Sequence, residues 1–392
     1  MTLEVHSLGC RLNLSESEAL RALLSGAEDL VVVNSCAVTG EAVRQTRQAI
    51  RRARKARPGA RLIVTGCAAE VEREALAAMP EVDGLVPNAA KLDPRAWNVP
   101  APSRPSTRRG YTRGFVQVQN GCDHACTFCV IPQGRGSSRS RPVARVLEDV
   151  AIHLDAGVNE IVLTGVDLTS WGADLPDAPR LGALCEAILA RFPALPRLRL
   201  SSIDGAEVDA ALFELVAGET RMMPHLHLSL QHGHDLILKR MKRRHSRADA
   251  LSLVARLRAL RPGLAIGADL IAGFPTEDEA AHAANLSIIE ELGVVHGHVF
   301  PFSPRPGTPA ARMPQVDGVT AKARAAELRE RVSAERARWL AAQIGEPLSV
   351  LAERGGTGHA ENFAPVRLPA GTQPGALLRV TPARVVEGML AS

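Results

Sequence analysis

Each of three apolar, strand-like runs near the start of the chain is followed, after one intervening residue, by a cysteine. The runs are LEVHSL, LVVVN and RLIVT, and the cysteines are Cys10, Cys36 and Cys67. Helix-like runs separate the strands, and this alternation predicts a parallel sheet covered by helices. Because parallel strands end at one edge, where open α/β sheets bind ligands, we expect the three cysteines to meet in space.

The first predicted helix carries its own start and stop signals. In the run LSESEALRALLSG, Ser15 is followed three residues later by Glu18, which is the pattern of a capping box, and Gly26 follows the last apolar position. We therefore expect this helix to begin beside Ser15.

The number of cysteines argues against a disulfide framework. The chain has 392 residues and seven cysteines, and nothing in it resembles a signal peptide or a long apolar membrane span. These features predict a cytoplasmic protein with no membrane partner, where thiols stay reduced. An odd number of cysteines in such a compartment favours metal or redox chemistry.

The rest of the chain divides into three further segments. A Pro-, Ser- and Arg-rich stretch at about 98–113 predicts a linker. Six strand-like runs separated by helical patterns follow it, at 114–119, 160–164, 197–201, 225–230, 264–271 and 294–300. Six such units predict a partial (β/α)6 barrel, two units short of a TIM barrel.

The last segment differs in composition from the predicted barrel segment. After a helical stretch at about 320–343, the tail is rich in Gly, Pro and Val and has short apolar runs, which predicts a small β-barrel. Such a module often binds RNA, although a purely structural β cap fits the composition nearly as well. The predicted fold is therefore α/β, with domains at 1–100, 108–340 and 344–392.

A second set of cysteines, Cys122, Cys126 and Cys129, falls in the loop after the first barrel strand. Barrel active sites are built from loops at this end, and clustered thiolates suit zinc or an iron–sulfur cluster. A structural zinc site is closed by four protein ligands. His124 could be a fourth ligand, but its position between two of the cysteines gives poor tetrahedral geometry. A cluster with one iron open to an external ligand fits better.

The spacing Cys-x3-Cys-x2-Cys, with Phe128 before the last cysteine, resembles the signature of radical S-adenosylmethionine enzymes. The resemblance implies that the three cysteines hold a [4Fe–4S] cluster whose open iron binds S-adenosylmethionine. Cys10, Cys36 and Cys67 in turn resemble the second triad of the methylthiotransferases, which implies an auxiliary [4Fe–4S] cluster. Two clusters and two molecules of S-adenosylmethionine per turnover are then implied.

Further motifs resemble the methylthiotransferase branch that modifies C2 of N6-threonylcarbamoyladenosine at position 37 of tRNA. They are TGVDLTSWGADLP (164–176), RLRLSSIDG (197–205), HLHLSLQ (225–231), LKRMKRRHS (238–246), ADLIAGFPTE (268–277), HVFPFSPRPGTPA (298–310) and GHAENFAPV (358–366), the last resembling a TRAM domain. Two features depart from that branch. His232 stands where relatives usually have Ser, and the tail from 344 is short for a TRAM domain.

Polar residues at other strand ends are candidates for cofactor binding. They are Gly165 and Asp167 after the second barrel strand, Ser201 after the third and Gln231 after the fourth. Ser202, Asp204, Gly273 and Glu277 lie on the same predicted rim, and for each residue capping or turn formation is an equal alternative. No conventional catalytic dyad is expected, and the catalytic residues are left unassigned. Cys185 lies in a helical apolar pattern and is expected to be a core residue.

Basic residues are bunched, which favours a polyanionic partner. The runs lie at 44–61, 104–113 and 239–247. Arg135, Arg139 and Arg141 follow the second cysteine set, where bidentate binding of a carboxylate or phosphate and plain salt bridges are equal expectations. The predicted partners are a tRNA anticodon loop, an electron donor such as flavodoxin or ferredoxin, and a sulfur donor. Alternatives are a methylthiotransferase acting on another tRNA adenosine or on an aspartate of a ribosomal protein, and a non-catalytic zinc RNA-binding protein.

Overall fold

The computed structural model describes residues 3–100 and 112–392, which pack into two compact units. Of the described residues, the first unit contains 3–100 together with 120–139 and 303–311, and the second contains 112–119, 140–302 and 312–392. This division by packing cuts the chain differently from the three predicted domains, which stay a prediction. Most of the predicted linker and most of the basic run 104–113 lie outside the described residues.

The first unit is built on a four-stranded parallel sheet whose strands lie in chain order. They are β1 (Glu4–Ser7), β2 (Leu30–Ser35), β3 (Arg61–Gly66) and β4 (Gly84–Leu85). Helices α1 (Arg11–Leu23), α2 (Gly40–Ala56), α3 (Cys67–Val71) and α4 (Arg73–Ala77) connect them, and α5 (Ile131–Arg135) also belongs to this unit. The predicted parallel α/β arrangement is confirmed.

The predicted capping box at Ser15 is wrong, because α1 begins at Arg11 with Cys10 at its N-cap. Asn13, Glu16 and Ser17 are fully buried within this helix. These residues lie three and four positions apart and share one helix face. The burial of these polar side chains, and not the local capping pattern, therefore determines where the helix begins.

The second unit contains six parallel barrel strands in two hydrogen-bonded sheets. The strands are β5 (Gly114–Gln117), β8 (Glu160–Thr164), β9 (Arg197–Leu200) with its continuation β10 (Ser202–Ile203), β11 (His225–Gln231), β12 (Ala265–Ala272) and β13 (Val294–Pro301). The two sheets are β5-β8-β9 and β10-β11-β12-β13. Two short strands, β6 (Gln119–Asn120) and β7 (Arg139–Ser140), pair with each other. The six predicted barrel strands are confirmed.

The barrel strands bury one face under helices. Those helices are α6 (Val143–Asp155), α7 (Leu181–Arg191), α8 (Ala210–Gly218), α9 (Asp235–Arg240), α10 (Arg247–Leu260), α11 (Glu279–Leu292) and α12 (Gly318–Ala341). Leu198, Leu200, Leu226, Leu228, Ile266 and Ala268 belong to this core. Since strand side chains alternate, the opposite face, here called the inner face, carries Glu160, Arg197, Arg199, His225, His227, Asp269, His296 and His298.

The C-terminal segment forms a six-stranded, mostly antiparallel sheet. Its strands are β14 (Leu348–Ala352), β15 (Thr357–Ala360), β16 (Pro365–Arg367), β17 (Leu377–Val380), β18 (Arg384–Val386) and β19 (Met389–Ala391), in the order β17-β14-β15-β16-β19-β18. A core of its own includes Leu348, Val350, Val366 and Leu390, with Leu340 from α12. Among the described residues, no helix has both the length and the apolar character needed to span a bilayer.

Candidate metal centres

The three strand-end cysteines of the first unit lie on neighbouring loops of one sheet edge. Cys10 caps α1, Cys36 follows β2, and Cys67 opens α3 after β3. Gly9 has a φ of +90°, and a Cβ placed there would lie 2.8 Å from Sγ of Cys36. Glycine is therefore required, because the Cys10 loop touches Cys36 directly.

Burial keeps two of these thiols uncharged in the free protein. Burial, with smaller contributions from neighbouring Cys67 and Cys10, raises the pKa of Cys36 to about 11. Burial also raises the pKa of Cys67, but the nearby charges of Arg135 and Lys91 act in the opposite direction. Metal binding to these thiols would release protons, as it does for thiolate ligands generally.

Beside the triad lies a buried carboxylate held between two cations. Glu16 pairs with Lys91 and bidentately with Arg135, whose Nη1 and Nη2 lie 2.9 and 3.1 Å from Oε1 and Oε2. All three side chains are at most 3% exposed. One negative and two positive charges leave a buried excess of one positive charge. An isolated buried charge is costly, and an anionic cluster on adjacent thiolates would compensate it.

The second triad occupies a loop held by backbone contacts within the first unit. The Cys122 amide donates to the Gly136 carbonyl at 3.1 Å, and Gly121, with a φ of +77°, lies too close to the Ser137 carbonyl for any side chain. The amides of His124 and Ile131 donate to Sγ of Cys122 and Cys129, each at 3.4 Å. Amide donors favour the thiolate form that binds metal.

Both triads therefore fit a thiolate-ligated iron–sulfur cluster. Each offers three soft donors on loops at strand or helix ends, and each is supported by charges or amides that stabilise anionic sulfur. Among the described residues of the first unit, no fourth cysteine completes either set.

The remaining predicted cofactor residues lie at carboxyl ends of barrel strands. Gly165 follows β8, where Oε1 of Gln119 accepts from the amides of Val166 and Asp167 at 3.0 and 2.9 Å. Asp167 itself accepts from Ser170 Oγ at 2.6 Å. These contacts fix the turn after β8, as the alternative reading expected.

Ser201 and Gln231 lie at neighbouring strand ends. Ser201 Oγ is buried and has no hydrogen-bond partner among the described residues. Gln231 ends β11 with a φ of +69°, beside a register shift in the pairing with β12. A left-handed glutamine costs free energy, and such strain concentrates at functional sites.

Asp204 and Glu277 form ion pairs inside the second unit. Asp204 pairs with Arg243 and Arg244, and Glu277 accepts from Nη1 of Arg324 at 3.1 Å and from the Gly273 amide at 2.9 Å. Both side chains are at most 4% exposed. These ion pairs fit the structural alternative for the two residues, and their place on the cofactor-binding rim stays a prediction.

The inner face carries a cluster that the sequence did not single out. His227 Nε2 and His298 Nδ1 each lie 3.1 Å from Oδ1 of Asp269, and the two rings lie 4.5 Å apart. Burial alone would raise the pKa of Asp269, but the two imidazoles hold it well below its usual range. The alternating polar positions of β11, β12 and β13 could have signalled this cluster, since charged residues are rare inside a barrel core.

Most of the described arginines in the predicted phosphate-binding runs are engaged in ion pairs. On α2 and at its C-cap, Arg57, the pairs are Arg44–Glu41, Arg47–Glu72, Arg51–Glu81, Arg54–Asp83 and Arg57–Asp29. In the run 239–247, Arg243, Arg244 and Arg247 are paired with carboxylates, and outside the runs Arg141 pairs with Asp149. Arg52 and Lys55 remain exposed and have no carboxylate partner in the described part of the chain.

Cys185 is a core residue, as predicted. It is fully buried among the apolar side chains of α7 and its neighbours, and burial raises the pKa of its thiol far above the ordinary value.

Comparison with known proteins adds two family matches. Residues 116–286 match the Radical SAM superfamily, and residues 2–87 match Uncharacterized protein family UPF0004.

Full-length relatives are also similar to this chain. The "Threonylcarbamoyladenosine tRNA methylthiotransferase MtaB" of Rickettsia prowazekii is 44% identical over 93% of this chain and 91% of its own length. The protein of the same name from Thermotoga maritima is 33% identical over 90% and 86%. The "tRNA-2-methylthio-N(6)-dimethylallyladenosine synthase" of Erythrobacter litoralis is 33% identical over 91% and 87%.

A solved structure shares the fold. The radical S-adenosylmethionine methyltransferase TsrM of Kitasatospora setae, with tryptophan and a cofactor analogue bound, has a TM-score of 0.58 at 16% identity. The match covers 79% of this chain and 74% of that one.

Proposed function

The chain belongs to the radical S-adenosylmethionine methylthiotransferase family, and we propose that it adds a methylthio group to C2 of N6-threonylcarbamoyladenosine at position 37 of tRNA. The observation that carries this proposal is the near full-length similarity to a threonylcarbamoyladenosine tRNA methylthiotransferase. A tRNA substrate would place the reaction in the cytoplasm.

Six cysteines would hold the metal cofactors. Membership in the radical S-adenosylmethionine superfamily implies a [4Fe–4S] cluster and S-adenosylmethionine. Cys122, Cys126 and Cys129 would ligate that cluster, and Cys10, Cys36 and Cys67 would ligate an auxiliary one. Three ligands each would leave one iron open at both sites, for the cofactor at the first and for sulfur at the second.

The cofactors would supply the one-electron chemistry and the sulfur that an unactivated aromatic C–H position requires. The protein would hold the cofactors and the substrate in position. The His124 and Ile131 amides would stabilise the thiolates of Cys122 and Cys129, and the buried positive charge of Lys91 and Arg135 would stabilise the auxiliary triad. Two molecules of S-adenosylmethionine would be consumed per product, one as methyl donor and one as radical source.

Gly165, Asp167, Ser201 and Gln231 would contact S-adenosylmethionine from the carboxyl ends of the barrel strands. Ser201 and Gln231 have the stronger support, since one offers an unpaired buried hydroxyl and the other a strained backbone. The turn contacts of Asp167 would place Gly165 where its backbone can approach a ligand closely.

The C-terminal sheet and the free cations of α2 would bind tRNA phosphates. Arg52 and Lys55 are the exposed, unpaired basic side chains of that helix in the described part of the chain. Phosphate contacts make RNA binding weaken steeply with salt, so a tRNA affinity that is insensitive to salt would argue against this surface. An electron donor and a sulfur donor would complete the cycle. The domain boundaries 1–100, 108–340 and 344–392 belong to the same proposal.

The experiment is mass spectrometry of tRNA nucleosides from a deletion strain complemented with this chain. Wild-type protein should restore 2-methylthio-N6-threonylcarbamoyladenosine, Cys129→Ala should not, and Cys185→Ala should, because Cys185 lies in the core. Appearance of the methylthio mass on dimethylallyladenosine alone, or on no tRNA nucleoside, would contradict the proposed substrate.

Metal analysis of anaerobically purified protein tests the cofactors separately. About eight irons with acid-labile sulfide are expected for two [4Fe–4S] clusters, whereas one zinc without iron would indicate a structural RNA-binding protein.

A further inference from the structure

We propose that the ion pair between Arg135 and Glu16 fixes the separation of the two cysteine triads. Arg135 is thus a positioning residue for the coupling between the two clusters. This inference rests on the proposed assignment of a cluster to each triad, and every contact that carries it lies within the first compact unit.

The pair joins the two elements that lead directly out of the triads. Helix α1 begins at the residue after Cys10 and carries Glu16, while α5 begins two residues after Cys129 and ends at Arg135. Each element is helical, so the positions of Glu16 and Arg135 relative to the neighbouring cysteines are set by helix geometry. A fixed contact between Glu16 and Arg135 therefore restricts how far the two cysteine loops can separate.

Arg135 has no rotational freedom left in this position. Its Nη1 donates to Glu16 Oε1 at 2.9 Å and to Asn120 Oδ1 at 2.8 Å, and its Nη2 donates to Glu16 Oε2 at 3.1 Å and to the side chain of Asn13. Bidentate arginine–carboxylate pairs are geometrically specific. Burial in this setting excludes the water that would weaken them.

A second contact fixes the other side of α5 against the strand-end triad. Asn88 Nδ2 donates to the Gly134 carbonyl at 2.6 Å and lies 3.9 Å from Sγ of Cys67. A Cβ on Gly134 would lie 3.2 Å from Cβ of Cys67, so the helix backbone packs directly on that cysteine. Side-chain and backbone contacts therefore hold α5 at two points.

Lys91 offers a control that distinguishes the effect of holding α5 in place from the effect of removing a positive charge beside Glu16. Lys91 contributes the same unit charge to the same carboxylate and is as deeply buried, yet its hydrogen bonds go to Glu16 and Asn34 and not to α5. Lys91→Met and Arg135→Met therefore remove equal charge beside Glu16, but only the second releases α5.

The test uses the full-length, anaerobically reconstituted protein with both clusters reduced. Pulsed electron paramagnetic resonance measures the magnetic coupling between the clusters, and hydrogen exchange measures the protection of residues 121–135. At equal iron and sulfide content, Arg135→Met should lose the defined coupling and exchange faster in this segment, while Lys91→Met should keep the wild-type coupling and protection. Arg135→Lys, which keeps the charge and loses the bidentate geometry, should resemble Arg135→Met and serves if the methionine variant does not fold.

Wild-type coupling and protection in both Arg135 variants would overturn the proposal. Equal changes in Arg135→Met and Lys91→Met would also overturn it, since charge alone would then explain the effect. The iron and sulfide content of the wild-type protein distinguishes this failure from failure of the proposed function. A wild-type protein with a single cluster would contradict the two-cluster assignment. Two clusters whose coupling is unchanged by substitution of Arg135 would contradict only the positioning role.

Discussion

The guanidinium carbon of Arg199 lies 4.9 Å from the centre of the Phe363 ring, which brings the C-terminal sheet onto the inner face of the barrel strands. His359 stacks on the same ring at 4.5 Å, and His225 and His296 lie at 5.1 and 5.6 Å. Phe363 adopts a φ of +71° to reach this place. The sheet is therefore packed into the barrel unit as part of its structure, and any RNA-binding surface on it must lie on other residues.

Replacing Phe363 tests that packing. Phe363→Ala should lower the free energy of unfolding by about 2 kcal/mol or more, because ring contacts with Arg199 and the histidines are lost. Phe363→Gly should be less destabilising by about 1 kcal/mol, since glycine relieves the left-handed backbone. Denaturant unfolding measures both. An equal loss in the two variants would show that the backbone carries no strain.

Glu160 holds three arginines on the inner face. Its carboxylate accepts from Arg113 Nε at 2.6 Å, Arg199 Nε at 2.8 Å and Arg197 Nη1 at 3.3 Å. Burial alone would raise the pKa of Glu160, but Arg199 and Arg113 hold it well below its usual range.

Glu160→Gln should destabilise the protein by about 3–5 kcal/mol, because it leaves buried guanidinium groups without their counter-charge. The matched control is Glu148→Gln, which breaks the exposed pair with Arg145 and should change stability by less than about 1 kcal/mol. Denaturant unfolding of both variants measures the difference, and similar losses would refute the role of burial.

Cysteine substitutions distinguish the cysteines that ligate a cluster from Cys185 in the core. Cys67→Ala should remove about half of the bound iron, since one of two [4Fe–4S] clusters loses a ligand. Cys185→Ala should retain all of it and lose only about 1 kcal/mol of stability. Iron and sulfide analysis with visible absorption checks both. Loss of iron in Cys185→Ala without unfolding would contradict its assignment to the core.

We expect His296 to make the stability of the protein sensitive to mild acid. Burial, together with nearby Arg336, lowers the pKa of His296 to about 3, and Arg336 Nη1 donates to its Nδ1 at 3.3 Å, which suits the neutral ring. The unfolded histidine has a pKa of about 6.5. Below that pH the unfolded state binds a proton that the folded state refuses, so stability falls as pH falls.

Between pH 6.5 and 5.5, wild type should lose about 1 kcal/mol more than His296→Gln, which cannot titrate. Urea unfolding at the two pH values measures this difference. Parallel losses would show that His296 is already charged in the folded protein.

The sequence predicted those features that depend on local periodicity. Strand positions and the order of Cys10, Cys36 and Cys67 along one sheet edge follow from apolar runs and from the rule that parallel strands end together. Contacts between distant residues could not be predicted in this way: Glu16 meets Lys91 and Arg135 across 75 and 119 residues. The ion pairs along α2 could not be predicted either, because the sequence shows the basic residues of the run but not the carboxylates that pair with them.

His232 is fully buried and bonded at both ring nitrogens. Its Nδ1 accepts from the His234 amide at 3.0 Å, so its Nε2 carries the proton and donates to Glu277 at 3.1 Å. Burial lowers the pKa of His232, although Glu277 opposes this effect, and the ring is neutral at physiological pH. His232 thereby supports the carboxylate that also accepts from the Gly273 amide.

His232→Ser should therefore lower the free energy of unfolding by about 1–3 kcal/mol, because serine is too short to reach Glu277 and leaves a cavity. His232→Gln should recover part of that loss, since its amide can donate to the same carboxylate oxygen. Denaturant unfolding of the three proteins checks the order wild type, Gln variant, Ser variant. A serine variant as stable as wild type would mean that Arg324 and the Gly273 amide satisfy Glu277 without the imidazole, and that the histidine fills space without supporting the turn.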